Sequence, residues 1–376
     1  MMRHPLPNLF TMTPILQLSS PLSWRGGEQQ LWYLQTSIEP EKWTSHIACP
    51  QQSALHQRLV QEAPQTPFCL LPTNIHTGLI AAWKLTRYCK KHRIELIHCH
   101  DARAHAIAYL AVVIWRNRIP LIVSRKVDFA VKATRSSRKK YLNPWIKRYL
   151  CVSRAVQAIL TQTVEQERCE VIYDGIDVAR YQRTFPQDVR QELSLSPKAK
   201  LVICVAALAD HKDHATLLKA AQALARKDTY FLLVGTGALQ EILQKQCQQY
   251  GLQQHVIFLG QRDDVPHLLN NSDLFLMTSK TEGLCQSILE AMAAGLPVVA
   301  TAAGGIPEIV RHQKTGLLAP VGDAQQLAHY IDTLLNDVTY AKTLGTHAKQ
   351  WAEAFDYSQM AEKTCLAYET VLSAYK

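Results

Sequence analysis

The sequence lacks the marks of several large protein classes. No run approaches the roughly 18 uninterrupted apolar residues that a membrane-spanning helix needs, although 47% of the 376 residues are hydrophobic. The ten cysteines include no C-x-x-C pair, so neither a zinc module nor a thioredoxin-type motif is spelled out. Cys49, Cys69 and Cys89 are evenly spaced but too far apart to form a ligand motif. Others, such as Cys151 and Cys204, sit in apolar segments. The pattern reads as buried, reduced thiols of a cytoplasmic protein. His98 and His100 flank Cys99, but no second Cys or His pair follows at ligand spacing. There is no D-x-D, so a metal held by paired aspartates has no support, and no metal or cofactor is expected. The chain shows no repeat of fixed period and no RNP, KH, zinc-finger or helix-turn-helix pattern. Its first residues, MMRHPLPNLFTMTP, carry one arginine and no apolar core. They make a poor signal peptide and read as a short tail.

The chain does have length for two cores and an uneven charge. Residues 1–186 hold 25 Lys and Arg against 12 Asp and Glu, a net +13; residues 187–376 hold 16 against 19, a net −3. A basic first half fits an anionic membrane surface, a phosphorylated acceptor or nucleic acid. Strand and helix patterns alternate throughout, from PILQLSS to TGLLAP. This predicts an α/β protein with parallel sheets covered by helices. The domains expected are 1–177, 178–354, and a terminal helix 355–376 that returns to the first domain. A polar connector, Phe185 to Lys200, introduces the second half.

In the first half, SWRGGEQQL puts a Gly-Gly turn between a strand and a helix, an anion-binding corner if its backbone N–H groups are free. IELIHCHDARAH ends a buried strand at His100 and Asp101, where ligands bind in open α/β sheets. His98 points to the same side but deeper and reads as structural. In the helix Ile80 to His92, Ile80, Trp83 and Tyr88 share one broad side. KATRSSRKKYLNPWIKRYL interleaves basic residues with Tyr141, Leu142, Trp145 and Tyr149. It reads equally as a solvated helix with a buried aromatic stripe or as a surface for anionic lipid or an acidic acceptor.

In the second half, TEGLCQSILEAMAAGLP places Glu282 and Glu290 eight apart, with a helix expected from Leu284 to Ala294. On a helix that spacing spans about 12 Å, on one broad side. Two carboxylates so placed suit a ligand with two sets of hydroxyls.

TEGLCQSILEAMAAGLPVVATAAGGIPEIV closely resembles the nucleotide-sugar half of the retaining family 4 glycosyltransferases. The likeness extends to VIYDGID, HKDHATLLKA, FLLVGTG, LGQRDDVPHLL and SDLFLMTSKTEG, and more loosely to SWRGGEQQL and IHCHDARAH. SRKVDF is similar to a subgroup of bacterial cell-envelope glycan assembly. The resemblance implies a GT-B fold, two doubly wound domains facing across a cleft. It also implies transfer of a sugar from a nucleotide sugar to a glycan or lipid-linked hydroxyl, in lipopolysaccharide, capsule or related synthesis. The protein would be cytoplasmic or peripheral on the inner membrane face.

Carried over by position, Glu290 would hold the ribose hydroxyls. Glu282 would contact the donor sugar, with the N–H groups of Gly283, Leu284 and Cys285 nearby. Lys212 would face the diphosphate, and Gly27 would approach the same phosphates. His100 would sit beside the reacting sugar, and Arg262 would line the base pocket. The family's arginine some five residues before the lysine is missing here, where Val205-Ala206-Ala207 stands. Arg125, Lys126 or Arg25 could substitute; His211 and His214 read as surface residues. Asp174 stands where the family has Asn, a change expected to matter little for the turn. The rivals are a GT-B nucleotide-sugar epimerase and a nucleic-acid-binding protein.

Overall fold

A computed structural model describes residues 12–74, 77–183, 185 and 187–375. Most of the expected N-terminal tail lies outside them. The chain divides into two compact units. The first comprises Met1–Val152, Val156–Tyr173 and Ser358–Lys376; the second comprises Ser153–Ala155 and Asp174–Tyr357.

The first unit is built on seven strands: β1 (Thr13–Leu18), β2 (Trp43–Pro50), β3 (Phe68–Leu71), β4 (Leu96–Cys99), β5 (Leu121–Arg125), β6 (Ile146–Cys151) and β7 (Cys169–Val171). All neighbours are parallel, in the order β3-β2-β1-β4-β5-β6-β7. The second unit has six: β8 (Lys200–Val205), β9 (Thr229–Val234), β10 (Val256–Gly260), β11 (Leu274–Met277), β12 (Val298–Thr301) and β13 (Leu317–Ala319). They are also parallel, in the order β10-β9-β8-β11-β12-β13. Two doubly wound sheets are what near-continuous apolar strands such as LVICV and LFLM require, because parallel sheets are covered on both faces. In each sheet the strand order reverses once, between β1 and β4 and between β8 and β11. Ligands of such sheets bind beside these switch points, beyond the strands' C-terminal ends.

The last helix, Tyr357–Ser373, belongs to the first unit's core. Tyr368, Met360, Val371 and Leu372 pack there with Ile15, Leu34, Trp43 and Ile122.

One segment departs from its sequence reading. The basic stretch is not one helix: Arg135–Tyr141 is helical, and Ile146–Cys151 is strand β6. Pro144 between them cannot continue a helix. Tyr141 and Tyr149 are buried and stacked at 6.0 Å, while Leu142 is exposed. In the helix Gly78–Lys91, Ile80 and Trp83 are exposed; the buried side is Ala81, Ala82, Leu85, Thr86 and Cys89.

Candidate active site

In the second unit, three loops converge beyond β8, β9 and β11. The loop after β8 carries Lys212 just before Asp213, whose backbone is left-handed (φ 48°). The Asp213 carboxylate caps the helix His214–Leu224, accepting from the Thr216 amide at 3.4 Å and hydroxyl at 2.7 Å. The Thr278 hydroxyl, at the end of β11, donates to the Lys212 and Asp213 carbonyls at 3.1 and 3.0 Å. These bonds fix the lysine's stem. Its ammonium pairs with the Glu282 carboxylate, which also accepts from the buried Ser279 hydroxyl at 2.9 Å. Glu282 is 9% exposed. Burial works against the Lys212 charge, but the Glu282 carboxylate beside it and its hydrogen bond oppose this, and the pKa is raised. Burial pushes the Cys285 thiol up to about 12, which keeps it neutral and unreactive.

The helix here is shorter than its sequence pattern suggests. It runs Gln286–Ala293, and Cys285 before it takes φ 80°, ψ 81°. Glu282 therefore lies in a loop, and helical spacing does not relate it to Glu290. The backbone between them turns through a left-handed residue, a conformation that favours glycine and costs other residues of order 1–3 kcal/mol. No side-chain hydrogen bond caps the helix start, and the Ile288 amide donates to the Cys285 carbonyl at 3.2 Å. The loop is held from behind by Gly305, whose amide donates to the Glu282 carbonyl at 3.1 Å. A Cβ at Gly305 would lie 2.2 Å from the Gly283 carbonyl oxygen. Likewise Gly235 and Gly237 after β9 allow contact with the Ala206–Leu208 backbone, at 2.1 and 2.3 Å from an added Cβ.

Glu290 is half-buried one turn into the helix. Burial raises its carboxyl pKa, against a hydrogen bond from Tyr181 and the Arg180 charge. Asp174 is more than a turn residue: its carboxylate accepts from Gln286 at 2.8 Å, tying the hinge motif to the helix start. Arg262 is held by Asp264 at 2.6 Å and Glu192 at 3.0 Å, so its charge is already balanced. His211 is exposed as expected, but His214 is not a surface residue. It is 2% exposed, and burial lowers its pKa to about 4.

In the first unit, the cavity beyond β1, β4 and β5 is lined by Arg25, Gly27, His100, Arg125 and Lys126 among others. The Asp101 carboxylate caps the helix Ala102–Val113 through the Arg103 and Ala104 amides, and accepts from the Ser20 amide and hydroxyl. His100 Nε2 meets Gln17 Oε1 at 2.6 Å. Gln17 donates to Tyr368 Oη at 3.0 Å, which meets His98 Nδ1 at 2.7 Å; His98 Nε2 meets Ser124 at 2.8 Å. His98 is thus a structural link, as its depth in the strand suggested. Burial drives the His100 pKa well below its ordinary value, with His98 and Lys126 adding to it. The imidazole stays neutral, with Nε2 committed to Gln17. The packing does not require a glycine at 27: a Cβ there would meet no described atom within 4 Å.

The sequence motifs named Lys212, Glu282, Gly283, Leu284, Cys285 and Glu290, and the structure gathers these around one helix start. They did not name Thr278, Ser279, Gly305 or the Asp174–Gln286 bond. The only signal for those was polar or glycine residues directly after buried strands.

Comparison with known proteins gives the family. Residues 186–351 match the family described as glycosyl transferases group 1, and residues 24–180 match glycosyltransferase family 4. The chain belongs to the family 4 glycosyltransferases. A relative is the N-acetyl-alpha-D-glucosaminyl L-malate synthase of Bacillus anthracis, 29% identical over 78% of each chain. Another is the UDP-Gal:alpha-D-GlcNAc-diphosphoundecaprenol alpha-1,3-galactosyltransferase of Escherichia coli, 24% identical over 69% of this chain and 70% of that one. Among solved structures, Anabaena Alr3699/HepE in complex with UDP superposes with a TM-score of 0.83 at 25% identity, covering 96% of this chain and 100% of that one. The same protein has been solved with UDP-glucose, at a TM-score of 0.82 and 25% identity over 95% and 99% of the two chains. The fold is therefore GT-B, and the glycosyltransferase acts on a nucleotide sugar. No described helix is long and apolar enough to cross a membrane.

Proposed function

We propose that this glycosyltransferase moves a sugar, with retention of anomeric configuration and without a metal ion, from a nucleoside diphosphate to a hydroxyl of a cell-envelope glycan or lipid-linked acceptor. The buried Lys212–Glu282 pair beside an uncapped helix start carries this reading. Such a site offers one fixed cation and several N–H dipoles to a diphosphate, and a carboxylate to sugar hydroxyls.

As the bond between the anomeric carbon and the diphosphate breaks, the carbon becomes oxocarbenium-like and charge grows on the leaving oxygen. Lys212 and the N–H groups of the Gly283–Ser287 stretch stabilise that charge; preorganised donors of this kind are worth roughly 3 kcal/mol each. Glu282, relieved of part of Lys212 by the diphosphate, accepts from the sugar hydroxyls. The acceptor hydroxyl attacks on the face the diphosphate is leaving, and the departing phosphate oxygen takes its proton. Glu290 accepts from the ribose hydroxyls. His100, neutral, is assigned a hydrogen bond to the transferred sugar, and Gly27 a close backbone approach to the phosphates. Arg262, already balanced by two carboxylates, keeps the base-side loop in shape. Exposed Arg135, Arg138 and Lys139 next to Leu142 support placement against the anionic inner face of the cytoplasmic membrane.

A thermal-shift panel of nucleoside diphosphates, beginning with UDP, tests the donor assignment, since a bound nucleotide raises stability by linkage. Transfer assayed with the matching nucleotide sugar should persist in excess chelator, with the product's anomeric configuration unchanged by NMR. Activity abolished by chelator, an inverted product, or an epimerised sugar formed without acceptor would each refute this reading.

A further inference from the structure

The first unit's cavity is lined by more cationic than anionic side chains. Its volume is about 420 Å³, within the range of small-molecule sites. Arg25, Arg125, Lys126, Lys132 and Lys140 line it, against two carboxylates, Glu28 and Asp101. Both carboxylates are engaged elsewhere. Asp101 accepts from Ser20 and from two helix-start amides. Glu28 is buried beside the Ser19 hydroxyl at 3.3 Å.

Arg125, the last residue of β5, is 6% exposed. Its guanidinium donates to Tyr141 Oη at 2.9 Å and to the Phe129 carbonyl, and lies over both rings. Neither partner is charged, and its enclosed Nε has no hydrogen-bond partner. Lys140 is half-buried on the same wall, its ammonium disfavoured by burial and then by Arg125. A buried guanidinium and a half-buried ammonium facing one cavity, with no carboxylate paired to either among the described residues, are unfavourable by themselves. They become favourable once an oxyanion accepts from both, because charge-assisted bonds from a planar guanidinium fit carboxylate and phosphate geometry.

We propose that this cavity binds a carboxylate or phosphate group of the acceptor, gripped by Arg125 and Lys140. The acceptor is then an acid, a class the reaction itself does not require. This rests on reading the first unit as the acceptor side of the transferase.

The test uses the intact protein saturated with UDP, so that the donor's own phosphate position is filled. Calorimetry and thermal shift are run with inorganic phosphate, glycerol 3-phosphate and succinate, with glycerol as the neutral control. At least one anion is expected to bind and raise Tm, glycerol neither, and the phosphate and succinate arms tell which oxyanion is preferred. Arg125→Gln should weaken that binding at least tenfold. Lys140→Gln spares the Tyr141 and Phe129 contacts, and should weaken the anion similarly if Arg125→Gln does not fold. Anions that bind only when UDP is absent occupy the donor position and overturn the proposal, as does binding unchanged in both variants. No anion binding alongside transfer to an uncharged acceptor removes the proposal and keeps the acceptor-side reading. Anion binding lost in the variants, yet without effect on transfer, removes the acceptor-side reading and the link to the acceptor with it.

Discussion

At the residue scale, the proposed mechanism gives Lys212 and Glu282 two separable jobs, one in stability and one in catalysis. Lys212→Met leaves a buried carboxylate without its cation, which should cost roughly 3 kcal/mol of stability in urea unfolding. Adding Glu282→Leu removes that orphan and should restore most of it. Activity should not return with stability: losing the lysine at the diphosphate is expected to lower kcat/KM by about 100-fold in both variants. Near-normal turnover of Lys212→Met would remove the lysine from the mechanism. Glu290 is a different case, because ribose hydroxyls do not change during transfer. Glu290→Gln should raise the donor KM by about tenfold and leave kcat nearly intact, the mark of uniform binding. An equal fall in kcat would place Glu290 nearer the reacting atoms.

At the element scale, the donor loop is shaped by what lies behind it. Gly305 supports the Glu282 carbonyl and touches Gly283 so closely that no Cβ fits. Gly305→Ala must push the Gly283 loop forward, at a cost of about 1–3 kcal/mol. Nucleotide affinity should fall with it, although residue 305 reaches no ligand in the proposed mechanism. Calorimetry with UDP would check this; unchanged affinity would mean that the loop position is not set from behind. The helix Gln286–Ala293 shows the limit of periodicity. SILEAM reads as a helix beginning near Leu284, but Cys285 turns left-handed. Local pattern carries no information about the distant contacts on either side of that residue, where Gly305 and Ser279 hold Glu282 and Asp174 holds Gln286.

At the scale of the whole molecule, neutral buried histidines couple stability to acidity. His98 and His105 are lowered to about 3, and His46 to about 4, each chiefly by burial. All three lie in the first unit. The sign follows directly: the unfolded chain binds these protons near pH 6.5 and the folded chain does not. Stability is therefore lost as pH falls below about 6.5, with three sites setting a limit near 4 kcal/mol per pH unit. Urea midpoints should drop steeply between pH 6.5 and 5, whereas a flat profile would show that the histidines protonate without unfolding. The C-terminal helix matters at the same scale. Tyr368, near the chain's end, completes the chain of bonds from Ser124 through His98 and Gln17 to His100.

The sequence by itself determined the fold class and singled out the candidate donor residues. Apolar strands alternating with helices leave few ways to bury both faces of a sheet, and ordered motifs around Lys212, Glu282 and Glu290 are local in the chain. Tertiary structure alone decided what depends on distant neighbours. It paired Lys212 with Glu282, 70 residues apart, and buried His214 behind a loop that reads as surface. It split the basic aromatic stretch between a helix and a strand, and left Arg125 enclosed without a counter-charge. Pairing and burial are properties of three-dimensional packing, which hydrophobic periodicity records only as an average over each element.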